Sequence, residues 1–193
     1  MKVRAALLAF AIGVAACVAP ASALDRVMEM NPPRAIAAFT LTDHAGKARA
    51  WSAFAGKPTL VFFGFTNCPD ICPTTLQRLA QLKASQGDAL RDLQVVMISV
   101  DGERDTPAVL SDYLAHFSKD FVGLTGPAAE VRKIALRFAA PFFKDPPREG
   151  GSYLVQHSSR LYAIDRQGRL RAELYDAAPE ATVAFARELL SER

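Results

Sequence analysis

Two stretches, Thr59 to Phe65 and Val95 to Val100, are apolar at consecutive rather than alternate positions, which predicts strands covered on both faces. After the first, the spacing turns helical: Leu76, Leu79, Ala80 and Lys83 trace the inner stripe and shoulder of a helix. Pro73 suits its first position and Gly87 its end. After the second, Thr106-Pro107 caps a helix carrying Leu110, Tyr113, Leu114 and Phe117 at helical spacing. Phe121 to Leu124 reads as a short strand, and the helix after Pro127 presents Val131, Ile134, Ala135 and Phe138. Pro141 to Gly151 reads as an irregular loop. Leu161 to Asp165 and Arg169 to Leu174 make a late β-hairpin around Gln167-Gly168, and Pro179 opens a last helix through Val183, Ala186, Leu189 and Leu190. Near the start, Phe39 to Thr42 and Lys47 to Trp51 flank the turn Asp43-His44-Ala45-Gly46, predicting an N-terminal hairpin. Strands alternating with helices, then a hairpin and a terminal helix, describe an α/β domain with a central sheet flanked by helices. Without repeat or low-complexity tract, residues 38–193 read as one domain.

The first residues follow a different pattern. Lys2 and Arg4 precede an uncharged apolar stretch from Ala5 to Ala19, and Ala21-Ser22-Ala23 offers a cleavage site. Residues 1–23 therefore read as a secretory signal peptide. Two other readings stay open: Val14-Ala15-Ala16-Cys17 resembles a lipoprotein signal with Cys17 lipidated, and Ala5 to Leu24 is long enough for a retained membrane anchor. All three place the domain outside the cytoplasm. Residues 24–37, with Asn31-Pro32-Pro33, have linker character. Removing residues 1–23 takes Lys2 and Arg4 from the chain's 23 bases against 20 acids, a near-neutral balance that argues against a nucleic-acid partner.

Export changes what the cysteines mean. If the signal is cut after Ala23, Cys17 is lost and Cys68 and Cys72 remain, three residues apart in Asn67-Cys68-Pro69-Asp70-Ile71-Cys72-Pro73. They lie between the first buried strand and its helix, where α/β folds carry their working residues. A disulfide closing so short a loop would restrain little of the unfolded chain, so a functional pair is expected. Cys72 falls near a helix N-terminus, which favours thiolate, and Pro73 predicts a loop between the cysteines. Three intervening residues differ from the two of the common redox motif. His157, in Val155-Gln156-His157-Ser158-Ser159, precedes the late hairpin and could come beside the cysteine loop. Two thiolates and one imidazole make a soft three-ligand set suited to Cu(I), whereas structural zinc would want a fourth ligand.

Asp101 follows the second buried strand and could hold a ligand in place; capping the next helix is the plainer role for this loop's carboxylates, and Asp105 fits it well. Asp70 is expected to face solvent. His44 and His116 read as ordinary surface residues. Met28 and Met30 could offer thioethers to Cu(I) from the tether. Arg78 reads as solvated, and the cysteine loop lacks an arginine of its own to activate peroxide.

With these residues on the page, the chain resembles the Sco/SenC family of copper-binding, thioredoxin-like assembly factors. The likeness rests on Phe63 to Pro73 with both cysteines, on Ser99-Val100-Asp101 with Glu103-Arg104-Asp105-Thr106-Pro107, and on Tyr153 with His157-Ser158. It spans about residues 36–190. It implies a thioredoxin-like fold binding copper, Cu(I) and/or Cu(II), through Cys68, Cys72 and His157, and working as a monomer. It further implies a part in assembling the CuA centre of cytochrome c oxidase subunit II, by copper delivery, by reduction of that centre's cysteines, or both, with other periplasmic copper chaperones as further partners. A thiol–disulfide oxidoreductase without obligatory metal transfer, with Cys68 and Cys72 as its redox pair, and a redox or copper sensor are the alternatives. Two positions depart from the family pattern: Gln156 stands where an acid commonly precedes the histidine, and Gly102 where a proline commonly follows the aspartate.

Overall fold

The computed structural model describes residues 27–175 and 179–192. The expected signal peptide of residues 1–23, with Cys17, lies outside the described residues. Among those described, no helix is long and apolar enough to cross a membrane.

The core of the molecule is set by β4 (Thr59–Gly64), every residue of which is buried. It pairs in parallel with β5 (Gln94–Ser99), and β5 pairs in parallel with β6 (Val122–Thr125). On its other side β4 runs antiparallel to β9 (Leu161–Ile164), the first strand of the late hairpin with β10 (Arg169–Leu174). The N-terminal hairpin of β2 (Thr40–Asp43) and β3 (Ala48–Ala50) joins beyond β6. Strand alternation then divides the interior. Val61 and Phe63 face one side with Val131 and Ile134 of α3 (Ala128–Arg137) and Phe138 just after it. Leu60 and Phe62 face the other, under α1 (Ile71–Gln86), α2 (Pro107–Ala115) and α4 (Pro179–Ser191). This is a central sheet flanked by helices, as the apolar pattern predicts, and thioredoxin-like, as the family resemblance implies.

Three local expectations are corrected. Residues 27–35 of the expected linker form β1 (Val27–Ala35), an edge strand antiparallel to β10 with a register shift between Glu29 and Arg34 around the two prolines. An edge strand tolerates proline because one side of its backbone needs no partner, so linker composition and strand are compatible here. Met28 and Met30 therefore lie in the sheet, Met28 opposite Glu173 and Met30 packed on the core. The loop after Pro141 contains β7 (Phe143–Lys144), paired with β8 (Val155–Gln156) in a small separate hairpin. Helix α1 begins at Ile71, two residues before Pro73, so Cys72 belongs to the first helical turn rather than to a loop. Proline fits there because the first turn has no use for its missing N–H.

This topology fixes where the chemistry sits. Strands β4 and β5 end side by side at Gly64 and Ser99. Strand β9 runs the opposite way, Val61 facing Tyr162, so its start lies at the same edge. The cysteine loop, the Asp101 loop and the His157 segment all leave from that edge.

Candidate metal centre

Cys68 and Cys72 are brought together by a tight turn after β4. The Cys68 backbone N–H donates to the Phe65 carbonyl, and helix α1 starts three residues after Cys68. Both thiols are free. Cys72 points inward and is 1 % exposed, against 9 % for Cys68. His157 enters from the opposite side on the segment between β8 and β9. The two sulfurs and a ring nitrogen of His157 all lie within 4.8 Å of one another. Cys72 Sγ is 3.5 Å from His157 Nε2.

The histidine is held in one tautomer. Its Nδ1 lies 3.0 Å from the Ser158 carbonyl oxygen, which can only accept, so Nδ1 carries the proton and Nε2 keeps its lone pair. Ser158 is itself fixed by the buried Tyr162, whose hydroxyl donates to Ser158 Oγ at 3.0 Å. The ring packs edge-on against Phe65, with centroids 5.6 Å apart. Burial holds the His157 pKa below its ordinary 6.5, so the neutral ligand form persists into mild acid.

The thiol moves the opposite way from the helix-dipole expectation. Burial pushes the Cys72 pKa well above its ordinary 9.0, outweighing a hydrogen bond from the Phe65 backbone, and the neighbouring Cys68 and Asp105 push it further. A helix N-terminus lends a fraction of a charge, but loss of water from a sulfur this enclosed costs more. Without a cation, Cys72 is a thiol. A soft metal would take the place of its proton.

The carboxylates of the adjacent loop do not cap α2, the plainer role expected of them, while the expected Thr106 cap is present. Thr106, not Asp105, caps α2 by accepting from the Val109 backbone N–H at 3.4 Å. Asp105 is buried and accepts from Thr66 Oγ1 and Ser99 Oγ, both at 2.6 Å, and from the Thr66 backbone N–H at 3.1 Å. It thus joins the ends of β4 and β5 beneath the cysteine turn. Asp101 accepts from the Tyr153 hydroxyl at 2.8 Å and pairs with Arg104, and Tyr153 leads to His157. Asp70 is exposed, as expected, while His44 is half-buried, its Nδ1 accepting from the Gly123 backbone at 3.1 Å. Gln156 is exposed and donates to Asp145 at 3.1 Å, so a carboxylate still lies against that position.

Gly64 is a contributor to which sequence reasoning gave no role. A Cβ there would stand 2.7 Å from Cys72 Sγ. The available signal was a lone glycine closing an otherwise bulky buried strand.

The profile of SCO1/SenC proteins matches residues 28–189. The chain belongs to the SCO1/SenC family. A putative copper-binding protein of Stutzerimonas stutzeri is 34% identical over 168 residues, 82% of this chain and 82% of its own. The bovine mitochondrial protein SCO2 homolog is 37% identical over 147 residues, 74% of this chain and 54% of its own. The structure of Bradyrhizobium japonicum ScoI with copper bound superposes with a TM-score of 0.73 at 36% identity, covering 80% of this chain and 99% of that one. Within this SCO1/SenC domain, Cys68, Cys72 and His157 form the one Cys/His/Asp/Glu cluster of metal-holding geometry among the described residues.

Proposed function

We propose that this protein binds copper through the Cys68 and Cys72 thiolates and His157 Nε2, and hands it on during assembly of the CuA centre in cytochrome c oxidase subunit II. The observation that carries the reading is the convergence of two sulfurs and one imidazole, from distant parts of the chain, within 4.8 Å. Two thiolates and an imidazole suit Cu(I) and retain a ligand for Cu(II). Support also comes from the copper-bound state of the Bradyrhizobium relative. Cys68 and His157 keep partial exposure while Cys72 is enclosed, so an acceptor's ligands approach on the Cys68 side and replace the donors one at a time. Export, read from residues 1–23, puts the domain on the side of the membrane where it meets that acceptor.

A second reading is favoured by the free thiols: Cys68 and Cys72 give two electrons and two protons to a partner disulfide and close into a disulfide of their own. It needs no His157, and that separates the two.

The deciding experiment is anaerobic titration of Cu(I) and Cu(II) into the wild type and into Cys68→Ser, Cys72→Ser and His157→Ala. Loss of one equivalent of tight copper in the cysteine variants, and greatly weakened retention of Cu(II) in His157→Ala with the fold intact, is the expected result. Unchanged affinity in His157→Ala removes it from the site. Exchange activity surviving that substitution, with no copper transfer in the wild type, favours the reductase.

A further inference from the structure

His157 reaches the sulfurs from a support that is weak by itself. The β7–β8 hairpin preceding it pairs Phe143 with Gln156 and Lys144 with Val155, apart from the main sheet, and is prolonged only by backbone bonds from Asp145 to Leu154 and from Arg148 to Ser152. Hairpins of this size are marginal in water, so while Ser158 and Tyr162 tie His157 to β9 on its far side, the segment before it needs further contacts to hold it.

The contacts that do so converge on Tyr153 and Arg104. The Arg104 guanidinium lies 3.7 Å from the centre of the Tyr153 ring, with the Lys144 ammonium 3.8 Å from the same centre. Arg104 Nη1 donates to the Tyr153 carbonyl at 3.1 Å, and its Nε is paired with Asp101. The Tyr153 hydroxyl donates to Asp101 at 2.8 Å. Arg104 also approaches Phe65, at 5.7 Å, and Phe65 packs against the His157 ring. One guanidinium therefore touches both the segment leading to His157 and the residue that begins the cysteine turn.

We propose that the Arg104–Tyr153 stack is a latch that sets the His157-to-sulfur distance and thereby the protein's discrimination between Cu(II) and Cu(I). The inference rests on the copper reading above. Two thiolates alone satisfy a soft Cu(I), whereas Cu(II) depends on the imidazole. Slackening the segment that carries His157 penalises Cu(II) selectively. Arg104 and Tyr153 are positioning residues that act through His157.

The test compares Tyr153→Phe, Tyr153→Leu and Arg104→Lys with the wild type, using Cu(I) and Cu(II) competition titrations under nitrogen. Tyr153→Phe keeps the stacked ring and is expected to stay near wild type. Tyr153→Leu and Arg104→Lys lose the stack and are expected to lower Cu(II) affinity by about 10- to 100-fold, the usual cost of removing a ligand's supporting contacts. Cu(I) affinity should change by less than about threefold in the same variants, because both sulfurs remain. Equal loss of both ions, or no loss of either, overturns the latch. Arg104→Lys decides if Tyr153→Leu does not fold. Amide exchange across residues 145–157 of the metal-free protein separates this proposal from its premise. Faster exchange in Tyr153→Leu but not Tyr153→Phe supports the latch even if the wild type binds no copper, a result that would sink only the copper reading. Unchanged exchange counts against the latch.

Discussion

His157 Nε2 lies 3.5 Å from Cys72 Sγ although the two residues are 85 positions apart. The pair meets because β9 runs antiparallel to β4 and starts where β4 ends. Each partner is in its uncharged form for the same reason: burial disfavours the imidazolium and the thiolate alike.

That shared cause predicts the pH profile of the metal-free protein. The His157 pKa is depressed, so the unfolded chain takes up its proton first as pH falls below 6.5, and stability is lost there. The Cys72 pKa is raised, so the unfolded chain releases its proton first above 9.0, and stability is lost there too. Urea midpoints should be flat between these values and fall on both sides, each single-proton slope no steeper than about 1.4 kcal/mol per pH unit. His157→Ala should flatten the acid side relative to wild type and Cys72→Ala the alkaline side nearest 9.0. An acid limb of unchanged slope in His157→Ala would show that another group causes it.

Gly64→Ala should separate binding from folding. The new methyl would stand 2.7 Å from Cys72 Sγ and 3.0 Å from Phe62. The sulfur, at the end of a short side chain, gives way by turning off its present direction and leaves His157. Crowding of this kind costs about 1–3 kcal/mol. Copper affinity should fall by about tenfold or more, as for other changes that disturb ligand orientation. Copper titration beside a thermal melt checks both.

The sheet and the ligands were legible in the sequence to very different depths. Buried β4 and β5 announce themselves as unbroken apolar runs, because a strand covered on both faces has no polar positions to alternate with. Cys68, Cys72 and His157 were legible as chemistry, since few residue types bind soft metals. The state of Cys72 was not, because helix position is written locally while burial is written by Phe65, His157 and the whole interior. Strand β1 was hidden for a related reason: its prolines are set by local rules, and its pairing to β10 by residues 140 or so positions away, as between Met28 and Glu173. Arg104 and Tyr153 appeared only as members of motifs, since a stack across 49 positions leaves no periodic mark.

Asp105 offers a stability test of the frame beneath the site. Its carboxylate collects two hydroxyls and one backbone N–H from the ends of β4 and β5. Asp105→Ala strands buried donors, each at about 1–3 kcal/mol, so a loss of roughly 3 kcal/mol is expected. Asp105→Asn, which still accepts through its carbonyl, should lose less than half of that. Urea unfolding of the metal-free protein measures both, and an Ala variant as stable as wild type would show that Asp105 does not join the strands.

Gly102 gives the most direct test of how closely the latch loop is packed. A Cβ at this position would stand 2.1 Å from the Gly126 carbonyl oxygen and 3.4 Å from Thr125 Oγ1. The obstacle is backbone at the end of β6, which cannot swing aside as a side chain would. Gly102→Ala, and equally Gly102→Pro, must therefore lift the loop carrying Asp101 and Arg104 away from β6. Pushing this loop off its support costs about 1–3 kcal/mol by overpacking alone. Because Asp101 and Arg104 hold Tyr153, the displacement should carry into the His157 segment and lower Cu(II) affinity more than Cu(I) affinity. Paired melts and copper titrations of Gly102→Pro check this. A proline variant as stable as wild type would show that the loop is not held against β6, and one less stable with both affinities unchanged would mean that the loop moves without dragging His157.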